Sequence, residues 1–459
     1  MKKLIAILLC LAFMLTTFAA CTPAEEPVDD PDKDTSDSTD TNDTEDTTDT
    51  NDDEDTTDTE DNTADTEDKK DEESAAPVLD LTNVEAVRYT SLGPDDSYTI
   101  YGGDKLTSFF EEPVESFFGV CKYYEDNGWT LYNYNVMNGN HFATWTRGVR
   151  LVHIYWIECE SELNLVTSSI SGELLPPLEP EVTTGDFKTS VTQYKSKANN
   201  GMGYVVQLAD GSFMILDGGY DHCTDDLYNT LVSLNGSEKD IVIRTWLITH
   251  SHGDHTGTFQ SFASKYASKV KLETLMISPV ETSGTYYGGQ GIVDDLKKFD
   301  GANVLYVHTG MVFNYCNVKL EILFTGDELW IAEPYRDEGL GEAQNQNNSS
   351  IVFRIYTDDY SALFLGDASE ETGVRMALYY GDYLKSDMCQ VAHHGVEDFP
   401  LIVYRYIKAA ILWYPCDQAL YDLGNRDKEV RDALKESKYT KEIIIRGNTT
   451  VTREFGAGK

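Results

Sequence analysis

The sequence has no segment rich in lysine and arginine, and its formal net charge is −43. Binding to a nucleic-acid backbone is driven by clustered cations, so this absence weighs against such a partner. The charge is unevenly placed: residues 22–76 hold 25 acidic and 3 basic side chains, and residues 77–459 still carry −23. No CxxC pair occurs among the eight cysteines, so neither a zinc ribbon nor a dense disulfide scaffold is indicated. Beyond Cys10 and Cys21, the scattered Cys121, Cys159, Cys223, Cys316, Cys389 and Cys416 read mostly as small core residues. A Cys121–Cys159 bridge is open to an oxidising compartment, but nothing in the pattern requires it.

The N-terminus is rich in what the rest lacks. Lys2 and Lys3 precede an apolar run at 4–18, shorter than the ~20 residues a membrane-spanning helix needs. Ala19, Ala20 and Cys21 follow, and the segment resembles a bacterial lipoprotein signal: a signal peptide over 1–20 and acylation of Cys21. The expected location is extracytoplasmic, lipid-anchored to the bacterial cell membrane. Residues 21–77 form an Asp/Thr/Glu-rich linker with almost no apolar side chains, which cannot offset the entropy of ordering and is expected to be disordered.

Two folded units are expected after it. Residues 78–180 read as a small α+β domain: a helix near 115–127, then strands near 130–137, 141–147, 149–157 and 164–168. Asn138-Gly139 between the first two strands signals a type I′ hairpin. The aromatics Trp129, Tyr132, Tyr134, Trp145 and Trp156 invite a carbohydrate-binding reading, against which stands plain packing of strand aromatics on a helix. Prolines at 176, 177 and 180 mark the boundary. From 185 to 459 strands and helices alternate: strands at 204–208, 212–216, 241–249, 318–324, 350–356, 361–365 and 388–392, helices at 224–233 and 427–437, and a terminal hairpin of 442–446 with 449–453.

The segment Thr249-His250-Ser251-His252-Gly253-Asp254-His255-Thr256-Gly257 carries the chemistry. It leaves an apolar strand, so His250 and His252 project to one side of an extended backbone. Gly253 is expected to let the chain turn and return Asp254 and His255 to the same point. Four imidazole or carboxylate donors in six residues suit one or two divalent ions.

This segment matches the HxHxDH signature, and the chain from about 187 resembles the metallo-β-lactamase superfamily. The resemblance implies an α/β fold, a metallo-β-lactamase-like αββα sandwich. It implies Asp217, at the end of an earlier strand, as a brace for the metal loop. Asp367, in Leu363-Phe364-Leu365-Gly366-Asp367, would bridge two metals, and His394, in Val391-Ala392-His393-His394-Gly395, would be the final ligand. Asn347-Asn348-Ser349-Ser350 before these motifs resembles the metallo-β-lactamase-like domain of competence DNA-uptake channel proteins, and the chain is also similar to surface phosphorylcholine esterases. Thr258 and Val396 depart from the usual pattern, which has glycine and serine there.

The ligand set so implied is His250, His252, Asp254, His255, Asp367 and His394, holding one or two divalent ions, zinc before manganese or iron. Strand alternation lets only one of His393 and His394 face the metal; His393 is then left to orient substrate or move a proton, and Asp254 is a ligand that also accepts one. His308, before Thr309-Gly310, reads as a structural histidine. The loops 283–291 and 330–348 are long enough to set specificity. The function implied is an extracytoplasmic hydrolase using a metal-activated hydroxide on phosphoester or related ester substrates, small molecules or cell-envelope components. The alternatives are a nuclease-like phosphodiesterase, which the acidic charge disfavours, and a non-catalytic surface binding protein on the same fold.

Overall fold

The computed structural model describes residues 77–99, 104–168, 175–176, 178, 184–278, 289–329, 347–396, 399–423, 428–447 and 449–456. The expected signal peptide, Cys21 and the acidic linker lie outside them. Among the described residues no helix is long and apolar enough to cross a membrane, and the described residues belong to one compact unit.

The first sheet is antiparallel, in the order β1 (Asp96–Thr99), β2 (Lys105–Phe109), β6 (Glu162–Ser168), β5 (Arg150–Ile157), β4 (Asn140–Arg147), β3 (Thr130–Met137). Asn138 and Gly139 sit at φ 50° and 83°, the left-handed pair that a type I′ turn demands. Alternate residues of the sheet face opposite ways. Ala143, Trp145, Val152, Ile154 and Leu165 pack on Phe117, Val120 and Tyr124 of helix α1 (Val114–Asp126). Leu106, Met137, Phe142, Tyr155, Ile157 and Val166 pack instead into a core shared with later strands. Trp145 and Trp156 are thus core residues and Tyr132 donates to the Pro176 carbonyl, so packing accounts for most of the aromatic set. None of the six described cysteines is in a disulfide, and the Cys121–Cys159 bridge is not formed: Cys121 is buried while Cys159 is exposed.

Two seven-stranded sheets follow. One runs β12 (Asn303–Tyr306), β11 (Val270–Ile277), β10 (Ile241–Leu247), β9 (Phe213–Asp217), β8 (Gly203–Gln207), β7 (Ser190–Gln193), β20 (Val451–Glu454); β9 to β12 are parallel. The other runs β13 (Val312–Tyr315), β14 (Val318–Phe324), β15 (Val352–Tyr356), β16 (Ser361–Phe364), β17 (Met388–Gln390), β18 (Ile411–Tyr414), β19 (Glu442–Ile445), with β16 to β19 parallel. The expected terminal hairpin is not formed. β19 pairs in parallel with β18, whereas β20 crosses to pair with β7 of the other sheet, because each strand buries its apolar residues against a different neighbour.

Tyr204, Met214, Leu216 and Leu247 of one sheet meet Leu320, Ile322, Phe353, Phe364 and Trp413 of the other in a buried central layer. The intervening residues Val205, Ile215, Ile243 and Trp246 face outward onto α2 (Thr224–Asn235), α3 (Gly253–Lys265) and α4 (Gly289–Leu296). Leu363, Cys389 and Leu412 meet α5 (Glu370–Tyr380), α6 (Leu401–Ile407) and α8 (Lys428–Glu436), with α7 (Gln418–Leu423) between the last two in sequence. The result is an αββα sandwich.

Candidate metal centre

Each candidate ligand sits just past the carboxyl end of a parallel strand. β10 ends at Leu247; the chain bends at His250 and Ser251, and His252 stands in extended backbone before the helix. The chain does not need Gly253 to turn: helix α3 begins there, Gly253 is not in the left-handed region, and Asp254 and His255 occupy the helix's first turn. The turn is therefore supplied by helix initiation, which also places the helix N-terminus beside the Asp254 carboxylate.

β9 ends at Asp217, held at φ 54° with its side chain wholly buried. One carboxylate oxygen accepts from the Thr249 amide (2.7 Å); the other accepts from the Thr249 hydroxyl (2.8 Å) and from His255 Nδ1 (2.6 Å). Asp217 therefore fixes both the strand exit and the His255 tautomer, leaving Nε2 free to face the centre.

Asp367 follows β16. Gln390, at the end of the adjacent β17, accepts from the amides of Leu365 and Gly366 (2.8 Å each) and donates to the carbonyls of Gly366 and Val391. One amide side chain thus ties the Asp367 turn to the His393-His394 turn. His393 and His394 do not continue β17. They sit at φ 43° and 57° in a left-handed turn, so strand alternation does not decide between them. His394 Nδ1 lies 3.1 Å from the Pro415 carbonyl and 3.4 Å from the Gly201 amide; donation to the shorter contact leaves Nε2 as the lone-pair atom. His393 Nε2 lies 3.7 Å from Asp367 Oδ2 and 3.4 Å from Asn347 Nδ2, and His393 joins neither ligand set.

Two sets of donors converge, each with its atoms within 4.8 Å of one another: Asp254, His255, Asp367 and His394, and His250, His252 and Asp367. In the first, Asp367 Oδ2 is 3.1 Å from His255 Nε2 and 3.3 Å from His394 Nε2, which is 3.0 Å from Asp254 Oδ2. In the second, His250 Nε2 is 3.0 Å from His252 Nδ1 and 3.8 Å from Asp367 Oδ2. His250 Nδ1 faces the hydroxyls of Thr249 (3.1 Å) and Ser350 (3.2 Å), and Ser350 also receives the Asp367 amide. All six expected ligands are brought together. His308 is in neither set among the described residues: Asp327 holds its Nδ1 at 2.6 Å and His153 stacks on it, a structural pairing.

The donor set fits divalent metals. Nε2 of His255 and of His394 approach carboxylate oxygens at 3.0–3.3 Å without hydrogen-bond geometry, and Oδ1 of Asp367 is buried without a hydrogen-bond partner, an arrangement that a cation would complete. Imidazole and carboxylate donors without thiolate suit zinc, manganese or iron. The second set has three protein donors, the number that leaves a position open. Burial opposes charge on His394, yet Asp367 and Asp254 outweigh it and push it up to about 9. His255 is raised in the same way against its burial, by Asp367, Asp217 and Asp254. Burial and the neighbouring His255 hold His250 and His252 low, in the neutral form that binds metal.

Several supporting residues escape sequence reasoning. Thr249 and Ser350 lie in segments already singled out, but Gln390 is signalled only by an amide ending a buried strand. Asn200, whose Nδ2 donates to Asp254 Oδ2 at 2.9 Å, carries no sequence signal. Of the expected specificity loops, most of 283–291 and of 330–348 lies outside the described residues; only 289–291, opening α4, and Asn347-Asn348 are seen.

No family model matches the chain, and no curated protein does. Solved structures match part of it at low identity. A metallo-β-lactamase fold protein of Bacillus subtilis is 9% identical over 58% of this chain and 100% of its own, with a TM-score of 0.38. A metallo hydrolase of the archaeon Ignicoccus hospitalis is 13% identical over 58% and 100% (TM-score 0.35). A diiron β-hydroxylase of Streptomyces venezuelae is 13% identical over 60% of this chain and 55% of its own (TM-score 0.35). Scores this low add nothing to the layer order and ligand geometry above, and it is those that decide. The fold is metallo-β-lactamase-like. Within such a sandwich the centre lies at the rim where strands of both sheets end, and each sheet supplies part of it.

Proposed function

We propose that this chain is a metallohydrolase of the metallo-β-lactamase superfamily, acting outside the cytoplasm on phosphoester or related ester substrates. One observation carries the reading: Asp367 belongs to both candidate ligand sets, so one carboxylate would serve two cation positions. Divalent ions bound there would lower the pKa of water to about 7 and polarise a substrate oxygen. The protein's own part is positional. Asp217 and Thr249 hold the histidine loop, Gln390 holds the Asp367 turn, and Asp254 is kept ionised, since His255 and His394 outweigh its burial and draw it well below the usual carboxylate range. His393, at 3.7 Å from Asp367 and beside Asn347, is set to orient a substrate or pass it a proton.

Phosphoester substrates are supported by the Asn347-Asn348-Ser349-Ser350 and His393-His394-Gly395 motifs, which resemble those of the competence-related and phosphorylcholine esterase groups. The acidic charge and lack of a basic segment argue against a nucleic-acid substrate. The lipoprotein-like N-terminus supports anchoring through Cys21. Purified full-length chain should hydrolyse a chromogenic phosphomonoester or phosphodiester faster than lactones or β-lactams, and chelation should abolish the rate. Turnover untouched by exhaustive chelation, or confined to β-lactams, would overturn the reading.

A further inference from the structure

Arg446 is a buried cation. It follows β19, is 3% exposed, and makes no ion pair among the described residues. A guanidinium taken out of water needs its N–H groups satisfied. Arg446 donates to three carbonyls of one turn, those of Ala198 (3.2 Å), Asn200 and Gly201. In satisfying the cation, the three carbonyls fix the turn. The strand pairing places Arg446 where it can do this, because the chain there leaves one sheet at β19 and enters the other at β20.

The turn it holds lies against one ligand set. Asn200 donates to Asp254 Oδ2 (2.9 Å), the Met202 amide donates to the Asp254 carbonyl (3.1 Å), and the Gly201 amide lies 3.4 Å from His394 Nδ1. The Tyr220 hydroxyl orients Asn200 from the far side (3.2 Å), and the Asp417 amide donates to the Asn199 carbonyl (2.7 Å). Gly201 stands at φ 115°, and a β-carbon there would come within 3.2 Å of the Asp254 carbonyl oxygen and 3.3 Å of Arg446. Only glycine lets the turn approach so closely. His250, in the other set, is held by Thr249 and Ser350 instead.

We propose that Arg446 is a positioning residue that, through the 198–202 turn, sets the affinity of the Asp254, His255, Asp367, His394 set separately from that of the His250, His252, Asp367 set. The inference rests on the two-ion reading above. It makes the two cation positions unequal: one is braced by a buried arginine acting through backbone carbonyls and Asn200, the other by hydroxyls.

Metal-free full-length chain is titrated with zinc in competition with a chromophoric chelator, for wild type, Arg446→Lys, Arg446→Met and Asn200→Ala. Wild type should show two binding steps. Arg446→Met and Asn200→Ala should each weaken one step about 10–100-fold, the range for lost supports of a metal ligand, and leave the other within about twofold. Arg446→Lys should fall between, since an ammonium replaces a planar fork. Asn200 is only half-buried, so its variant serves if Arg446→Met does not fold. Equal weakening of both steps, or none, overturns the clamp. Wild-type chain that takes up no zinc at all defeats the two-ion reading itself, a result distinct from either.

Discussion

Gly253 separates what residue types announce from what geometry requires. In the sequence it reads as the hinge of the metal loop, yet it opens helix α3 outside the left-handed region, and a β-carbon there would touch nothing within 4 Å. Gly253→Ala should therefore keep its full metal content and gain roughly 0.4–1 kcal/mol of stability from a less flexible unfolded chain. Elemental analysis and a melting curve check this; lost metal would restore the hinge. The candidate ligands are legible because their chemistry is in the side chains: His250, His252, Asp254 and His255 crowd six positions, and Asp367 and His394 follow apolar strands. Arg446 and Asn200 are not. Arg446 acts through carbonyls of residues some 250 positions away, and no local pattern of residue types records such a contact. His393 and His394 were misjudged in conformation, since successive left-handed residues replace the strand that alternation assumes.

At the level of elements, local signals were read well and long-range pairing was not. The helix near 115–127 and the strands on either side of Asn138-Gly139 form within a residue or two of expectation, because periodicity and turn chemistry act over a few residues. β19 and β20 look like a hairpin locally but join different sheets, a choice made by neighbours β18 and β7 far off in sequence. Another non-local effect falls on the β5–β6 hairpin. Glu162 is buried there with Oε1 unpartnered, and burial, reinforced by Glu160, pushes its carboxyl up to about 7. A carboxyl whose pKa is raised from 4.5 binds more protons folded than unfolded, so stability falls as pH rises from about 4.5 through 7. Glu162→Gln should flatten that part of the pH–stability curve and raise the melting temperature at pH 8. A variant less stable than wild type at pH 8 would show that the carboxylate is paired there.

Across the whole molecule, the six-stranded sheet and the sandwich share one core. Phe142 and Tyr155 pack with Leu323 and Phe324, Asn135 donates to Glu321 (3.1 Å), and Glu321 in turn receives Arg354 (2.6 Å), a buried pair whose rupture costs about 3–5 kcal/mol. The candidate centre joins the two halves of the sandwich in the same way: four candidate ligands come from the β10–α3 side and two from the ends of β16 and β17. Ions that bind only the folded state would therefore stabilise the assembled sandwich by mass action. Asp367 is the one residue common to both ligand sets, and its removal tests the account most directly. Metal-free wild type, reconstituted with zinc and freed of excess, should hold two ions per chain. Asp367→Ala, folded by circular dichroism, should hold fewer than one and lose turnover by about two orders of magnitude, as when a single electrostatic stabiliser is deleted. An Asp367→Ala chain that retains two ions and near wild-type rates would contradict the shared-carboxylate centre.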